Sequence, residues 1–233
     1  MMGRPEASHE GANVQQYGVI FDLDGVLVDS GAAHRESWTQ LAAEAHVPMS
    51  DEFFAETFGQ TNKDILTALF GRELPEAEWQ RLGERKEELY REIVRGRVPV
   101  MPGAVALIEA LRADGARLAV GSSGPPANIE LCLDEMGVRR DFDVVVTGED
   151  VTRGKPDPQV FLLVAERLGL GPERCVVVED AVAGVEAARR AGMAAVALTS
   201  THPRASFGHA DLVVESLKEL GAGRLRALVA ARA

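Results

Sequence analysis

Asp22 and Asp24 are the residues of this chain whose spacing most directly suggests chemistry. They close the apolar run Val19-Ile20-Phe21 just ahead of Gly25. Alternate residues of a strand share a face, so an Asp-x-Asp pair at a strand end sets two carboxylates side by side. Gly25 then lets the backbone turn. Ionised carboxylates so close repel unless a cation, a shared proton or a basic group lies between them. Solvated turn acids are the plainer reading, since Asp is common where strands end, so the pair needs partners from elsewhere. Three further β-rich runs offer them. Residues 117–122 end in Ser122, and Ser123, Gly124 and Pro125 then open a helix. A hydroxyl with backbone N–H groups at a helix start is an anion site, an ordinary N-cap, or both. Residues 143–147 precede Gly154-Lys155-Pro156-Asp157-Pro158, where two prolines restrict the chain around Lys155. That restriction suits an aimed ammonium, although Lys155 taken alone reads more simply as a surface lysine. Residues 175–179 run straight into Glu179 and Asp180, and an apolar strand that ends in two acids is unusual for a solvated surface. Hard oxygen donors with no His or Cys cluster imply Mg²⁺ rather than zinc. A metal and a lysine beside backbone donors form a receptor for a phosphoryl group, in which a carboxylate can serve as nucleophile.

These side chains meet only if a scaffold brings the strand ends to one edge. The runs at 19–22, 117–122, 143–147, 175–179 and 194–198, with a weaker one at 212–214, alternate with amphipathic helical stretches. Such alternation predicts an α/β fold with a Rossmann-like three-layer core, a parallel sheet covered by helices on both faces. In that architecture ligands bind outside the carboxyl ends of the strands, where every candidate residue falls. Helix punctuation agrees: Pro102 and Gly115 bracket one helix, Gly192 ends another, and Ser216 with Glu219 forms a capping box for a final helix. One region breaks the alternation. From Gly31 to Arg97 the periodicity is helical throughout, with Trp38, Leu41 and Ala42 on one face and Trp79, Leu82, Leu89 and Ile93 on another. Thr61 and Asp64 make a capped start for Ile65, Leu66, Leu69 and Phe70. This block reads as an inserted all-helical domain over residues 31–97, joined to a core of 13–30 and 98–233 by two segments able to act as a hinge.

With 233 residues, 46% of them hydrophobic, the chain can bury a substantial core. Its 36 Asp+Glu against 25 Lys+Arg give a formal charge of -11, which argues against nucleic acid or an anionic membrane as partner. A small phosphorylated metabolite remains compatible, because local cations decide the field inside a pocket. Cys132 and Cys175 suggest neither a disulfide framework nor a zinc site. Residues 1–12 are polar and read as a disordered start or a cloning remnant, with no signal core. No stretch is apolar enough to span a bilayer, so a cytoplasmic protein, monomeric or weakly oligomeric, is expected.

In order and spacing, Asp22-Leu23-Asp24-Gly25, Ser122, Lys155 and Glu179-Asp180 resemble the four motifs of the haloacid dehalogenase-like hydrolase superfamily. The resemblance runs from Tyr17 onward and is closest to the branch holding β-phosphoglucomutase and related sugar-phosphate phosphatases, which carry a helical cap after the first strand. It implies Asp22 as nucleophile forming an aspartyl-phosphate and Asp24 as general acid/base. Ser122, Ser123 and Lys155 would hold the phosphoryl oxygens. Asp180 with Glu179 would bind Mg²⁺ beside Asp22 and the backbone carbonyl of Asp24. His34 would meet Asp24 or the substrate, or be an exposed helix histidine. In the cap, Gly59-Gln60-Thr61-Asn62-Lys63-Asp64 resembles the specificity loop, but Asn62 stands where the mutase has an arginine for a second phosphate. Lys63 beside it would point elsewhere. Loss of a bidentate clamp favours a phosphatase over a mutase. A dehalogenase and a non-catalytic phospho-acceptor module fit less well, since Asp24 is not expected in the first and the helical insertion is unexplained in the second.

Overall fold

A computed structural model describes residues 16–57 and 59–232; the expected disordered start at 1–12 lies outside them. Six strands form one parallel sheet: β1 (Gly18–Phe21), β2 (Arg117–Gly121), β3 (Val144–Val146), β4 (Cys175–Glu179), β5 (Ala194–Leu198) and β6 (Leu212–Val214), in the order β3-β2-β1-β4-β5-β6. The chain works outward from β1 to β3, then crosses back to β4 and works outward the other way. The switch point therefore falls between β1 and β4, whose register pairs Phe21 with Val178.

The strand interiors are apolar because successive residues feed opposite cores. Val19, Phe21, Val176 and Val178 point to one face, beneath α5 (Ala104–Ala113), α6 (Pro126–Glu135) and α9 (Ala222–Ala230). Ile20, Val177, Ala195 and Ala197 point to the other, beneath α7 (Gln159–Leu168) and α8 (Val182–Arg190). Glu179 ends β4, and Asp22 and Ser122 lie just past β1 and β2, where their backbones still continue the ladder: Asp22 N–H donates to Val178 O at 3.0 Å and Ser122 N–H to Val146 O at 3.0 Å. The Ser216–Glu219 capping box is present but opens a short 3-10 turn, Leu217–Glu219, instead of the final helix. Leu217 and Leu220 are buried there, which pulls the chain extended before α9 starts at Ala222.

Between β1 and α5 lie four helices, α1 (Gly31–Glu44), α2 (Asp51–Thr57), α3 (Asn62–Phe70) and α4 (Glu76–Val94). They share a core of their own, built from Trp38, Leu41, Ile65, Leu66, Leu74, Leu82 and Leu89. Thr61 caps α3 as its spacing predicts, accepting from Asp64 N–H at 3.2 Å. The two connections to the sheet run together as a short ribbon. Asp29 N–H donates to Pro99 O at 2.8 Å, Met101 N–H donates to Leu27 O at 2.9 Å, and Val28 faces Val100 antiparallel.

Candidate active site

The ends of β1 and β4 carry the acids, and the loop before α7 carries the cation that separates them. Lys155 Nζ lies 2.7 Å from Asp22 Oδ1 and 2.5 Å from Glu179 Oε1, with its ammonium 5.0 Å from the centre of the Phe161 ring. Only 10% of its side chain is exposed, so it is an aimed group, as the flanking prolines suggest. Burial alone would lower this lysine, but Asp22 and Glu179 hold it well above its ordinary value. Glu179 is oriented at its other oxygen, Oε2, which accepts the backbone N–H groups of Asp180 and Ala181, both at 2.9 Å. Its carboxylate packs against Gly184 so closely that a Cβ there would collide with it.

Asp22, Glu179 and Asp180 are all buried, and one carboxylate oxygen from each falls within 4.8 Å of the others. Three acids against one ammonium leave an excess of negative charge. Its mark is on Asp22, raised well above the ordinary range by burial, against the pull of Lys155. Asp180 is pushed up to about 7 by burial and by the Glu179 charge. The donors are all hard oxygens, so the group fits a divalent cation, which would supply the missing charge. Thr201 steadies Asp180, its hydroxyl 2.7 Å from Oδ2. Gly25 makes this approach possible. Its φ is +71°, and a Cβ would strike the Asp180 carboxylate.

Asp24 does not join the acidic group. The chain turns between the two aspartates, and the Asp24 carboxylate faces the helical insertion, where His34 Nε2 lies 3.3 Å from Oδ1. Behind His34, Lys86 Nζ lies 2.9 Å from Nδ1. An ammonium can only donate, so with Lys86 charged the imidazole proton sits on Nε2 and points at Asp24. Burial would raise Asp24, but the His34 contact and the nearby Lys86 charge outweigh it and hold the carboxyl below its usual value. His34 also stacks on Tyr90, centroids 4.3 Å apart.

Ser122 is buried and its Oγ accepts Gly124 N–H at 3.1 Å, the N-cap-like role, while Ser123 is exposed at the mouth of the cleft. In front lies a cavity of about 580 Å³ between insertion and sheet. Its walls include Asp24, Lys155, His34, Asn62, Lys63 and Ser123. Lys63 thus faces the cavity rather than turning away, its ammonium 5.9 Å from the Trp79 ring. Asn62 Nδ2 donates to Glu87 Oε1 at 2.8 Å.

Lys86, Glu87 and Asn128 were not among the expected site residues. All three are buried polar groups lining this cavity. The signal for Lys86 was available: it sits four residues after Leu82 and before Tyr90, so a charge falls on the apolar stripe of α4.

A family model described as a haloacid dehalogenase-like hydrolase matches residues 18–192. The chain is 34% identical over 211 residues to a validoxylamine A 7′-phosphate phosphatase of Streptomyces hygroscopicus subsp. limoneus, spanning 86% of this chain and 94% of that protein. It is 33% identical over 181 residues to a fructose-1-phosphate phosphatase of Escherichia coli, spanning 77% of this chain and 94% of that one. The solved β-phosphoglucomutase of Clostridium difficile superposes with a TM-score of 0.81 at 25% identity, over 93% of this chain and 98% of that chain. The family match runs from β1 to the end of α8, so every strand end that feeds the acidic group lies inside it, and the chain belongs to the haloacid dehalogenase-like hydrolase family.

Proposed function

We propose that the protein is a Mg²⁺-dependent phosphatase that hydrolyses a small phosphomonoester, a sugar phosphate in the first instance, through an aspartyl-phosphate on Asp22. The observation that carries this is the Asp22–Lys155–Glu179 chain of contacts at the β1/β4 switch point, facing a cavity closed by the helical insertion. The relatives named for phosphatase activity toward phosphorylated carbohydrates support the substrate class. Asp22, Glu179 and Asp180, with the Asp24 backbone carbonyl, would hold Mg²⁺, which offsets charge on the phosphoryl oxygens when bound.

A carboxylate oxygen of Asp22 attacks phosphorus, and the bond from phosphorus to the leaving oxygen breaks. Asp24 gives its proton to that oxygen. Asp24, now a carboxylate, takes a proton from water; the water oxygen attacks phosphorus, and the bond to Asp22 breaks to release phosphate. Lys155, Ser122, Ser123 and the backbone N–H groups that follow neutralise and position the oxygens. The Lys86–His34 pair favours the carboxylate form of Asp24, the form that activates water; for the first step the Lys86 ammonium would pass a proton to His34 Nδ1 as Nε2 gives its own to Asp24 Oδ1, and the proton later taken from water would return to Lys86 by the same contacts. Asn62 and Lys63 would meet the leaving group. Residues 31–97 act as the cap and 13–30 with 98–233 as the catalytic core. Two buried free thiols, Cys132 and Cys175, suit a reducing cytoplasm, and a monomer or weak homo-oligomer suffices because one chain supplies the whole site.

The likeness to β-phosphoglucomutase keeps a second reading, transfer within a phosphosugar. An amide at position 62, tied to Glu87, argues against it, since no guanidinium stands there for a second phosphate. The deciding experiment is a phosphomonoester panel with and without Mg²⁺. Phosphate release that stops with EDTA and in Asp22→Asn supports the phosphatase. Conversion of β-glucose 1-phosphate to glucose 6-phosphate faster than phosphate release would establish the mutase, and turnover surviving in Asp22→Asn would remove the nucleophile assignment.

A further inference from the structure

Asn128 is a core residue, on the first turn of α6, and only 4% of it is exposed. A buried amide left unpaired is costly, so its partners matter. Both come from the helical insertion. Its Nδ2 donates to Glu87 Oε2 at 2.7 Å, and its Oδ1 accepts from Arg91 Nη1 at 2.8 Å. Glu87 and Arg91 are four residues apart on α4, hence on one face, and together they grip the two ends of a single amide. The other oxygen of Glu87 accepts from Asn62 at 2.8 Å and from Lys86 at 3.0 Å. From Lys86 the contacts pass through His34 to Asp24, back on the core. The cap residues that touch Asp24 are therefore held by the core at two points, Asp24 itself and Asn128.

The position of this grip along α4 is what gives it meaning. At the hinge end of the helix, Glu135 of α6 accepts Gly96 N–H, with its oxygens 2.9 and 2.8 Å away. That contact lies beside the linker and moves little when the cap tilts. Glu87 is nine residues further from the hinge, about 13 Å along a helix rising 1.5 Å per residue. A small tilt of α4 separates Glu87 from Asn128 long before it disturbs Gly96.

We propose that Asn128, gripped by Glu87 and Arg91, is the core's half of a clasp that positions the closed cap, and with it Lys86 and His34 against Asp24. These are positioning residues. The effect on turnover rests on the phosphatase reading; the effect on cap position does not.

Exchanging donor and acceptor tests it. Asn128→Asp sets two carboxylates against each other and opens the clasp. Glu87→Gln sets an amide N–H₂ against Asn128 or, if flipped, against Lys86 and Asn62. The double variant Glu87→Gln/Asn128→Asp restores every pairing: Gln Oε1 still accepts from Lys86 and Asn62, Gln Nε2 donates to the new aspartate, and Arg91 still donates to it. Total charge is unchanged. Expected for Asn128→Asp is a drop of roughly 10²-fold in kcat/KM on the best phosphomonoester, the scale of a small misplacement of catalytic groups. Small-angle scattering should show a larger radius of gyration. The double variant recovers most of both. A double variant no better than the worse single would overturn the clasp, as would Asn128→Asp with unchanged kcat/KM and scattering. If Asn128→Asp does not fold, the double variant decides: folded, compact and active supports the clasp, and folded but expanded and slow overturns it. A wild type inert toward the whole panel counts against the phosphatase reading, and the scattering comparison still judges the clasp.

Discussion

Asp22 and Asp24 differ by two positions and face opposite problems. Asp22 sits among buried acids with Lys155 as its counter-charge, and Asp24 faces a histidine on a helix of the insertion. Asp22→Asn should cost at least ~10³-fold in turnover, as loss of a nucleophile does, while Asp24→Asn should cost ~10²–10⁴-fold; single-turnover phosphate release measures both. Asp180 makes a pH prediction. Its carboxyl is raised from 3.8 to about 7, so between those values the folded chain keeps a proton that the unfolded chain has released. Stability from this group is therefore lost as pH rises through that window. In EDTA, Asp180→Asn should gain in melting temperature relative to wild type across it, and a constant difference would refute the assignment. The acids and Lys155 were legible in sequence as candidates because four motifs stand in order along alternating apolar runs, while each residue taken alone kept a solvated reading. The asymmetry of the pair came from the motif resemblance and not from spacing, since strand alternation would put both carboxylates on one face and the chain instead turns between them. Lys86 was hidden differently: its neighbours Leu82, Leu89 and Ile93 read as packing, and a single charge on a stripe does not announce its partner across the cleft.

At the scale of elements, the strands were legible to within a residue because a parallel sheet buried on both faces demands unbroken apolar runs. Helix starts were less so. Ser216 and Glu219 make the hydrogen bonds expected of them, but a capping box satisfies the first N–H groups of a 3-10 turn as well as those of an α-helix. Burial of Leu217 and Leu220 decides which follows, and that is tertiary information. The insertion's own core gives a test. Leu66 is fully buried among Trp38, Leu41 and Leu82, so Leu66→Ala should cost about 2–5 kcal/mol. Chemical denaturation should show the loss, and a rise in KM larger than the fall in kcat would tie it to leaving-group binding. Gly25→Ala should be worse for function than for folding. Left-handed backbone costs a residue with a Cβ about 1–2 kcal/mol, but the collision with Asp180 would displace a carboxylate proposed to hold the metal. Weakened Mg²⁺ binding by calorimetry is the expected outcome.

The whole molecule carries a charge of -11 and is proposed to bind an anion. It could do so because attraction would be concentrated where Lys155, the start of α6 and the proposed divalent cation converge. A cation at Asp22, Glu179 and Asp180 should also stabilise the fold, by about 2.7 kcal/mol at a hundredfold excess over Kd. A melting temperature that climbs with Mg²⁺ in wild type and stays flat in Asp180→Asn is the expected result.

The paired linkers set how the insertion can move. Two independent tethers would let a cap swing, twist and slide, and each return would have to search for its register. Here residues 27–29 and 99–101 are laced to each other by backbone hydrogen bonds. A laced ribbon resists stretching and shear but bends easily across its plane. The motion such a ribbon would leave to the proposed cap is mainly bending about one axis, like a door on a strap hinge. Linkers ordered on folding would not have to be ordered again, so each closing of the proposed cap would bring the same side chains back over Asp22 and Asp24.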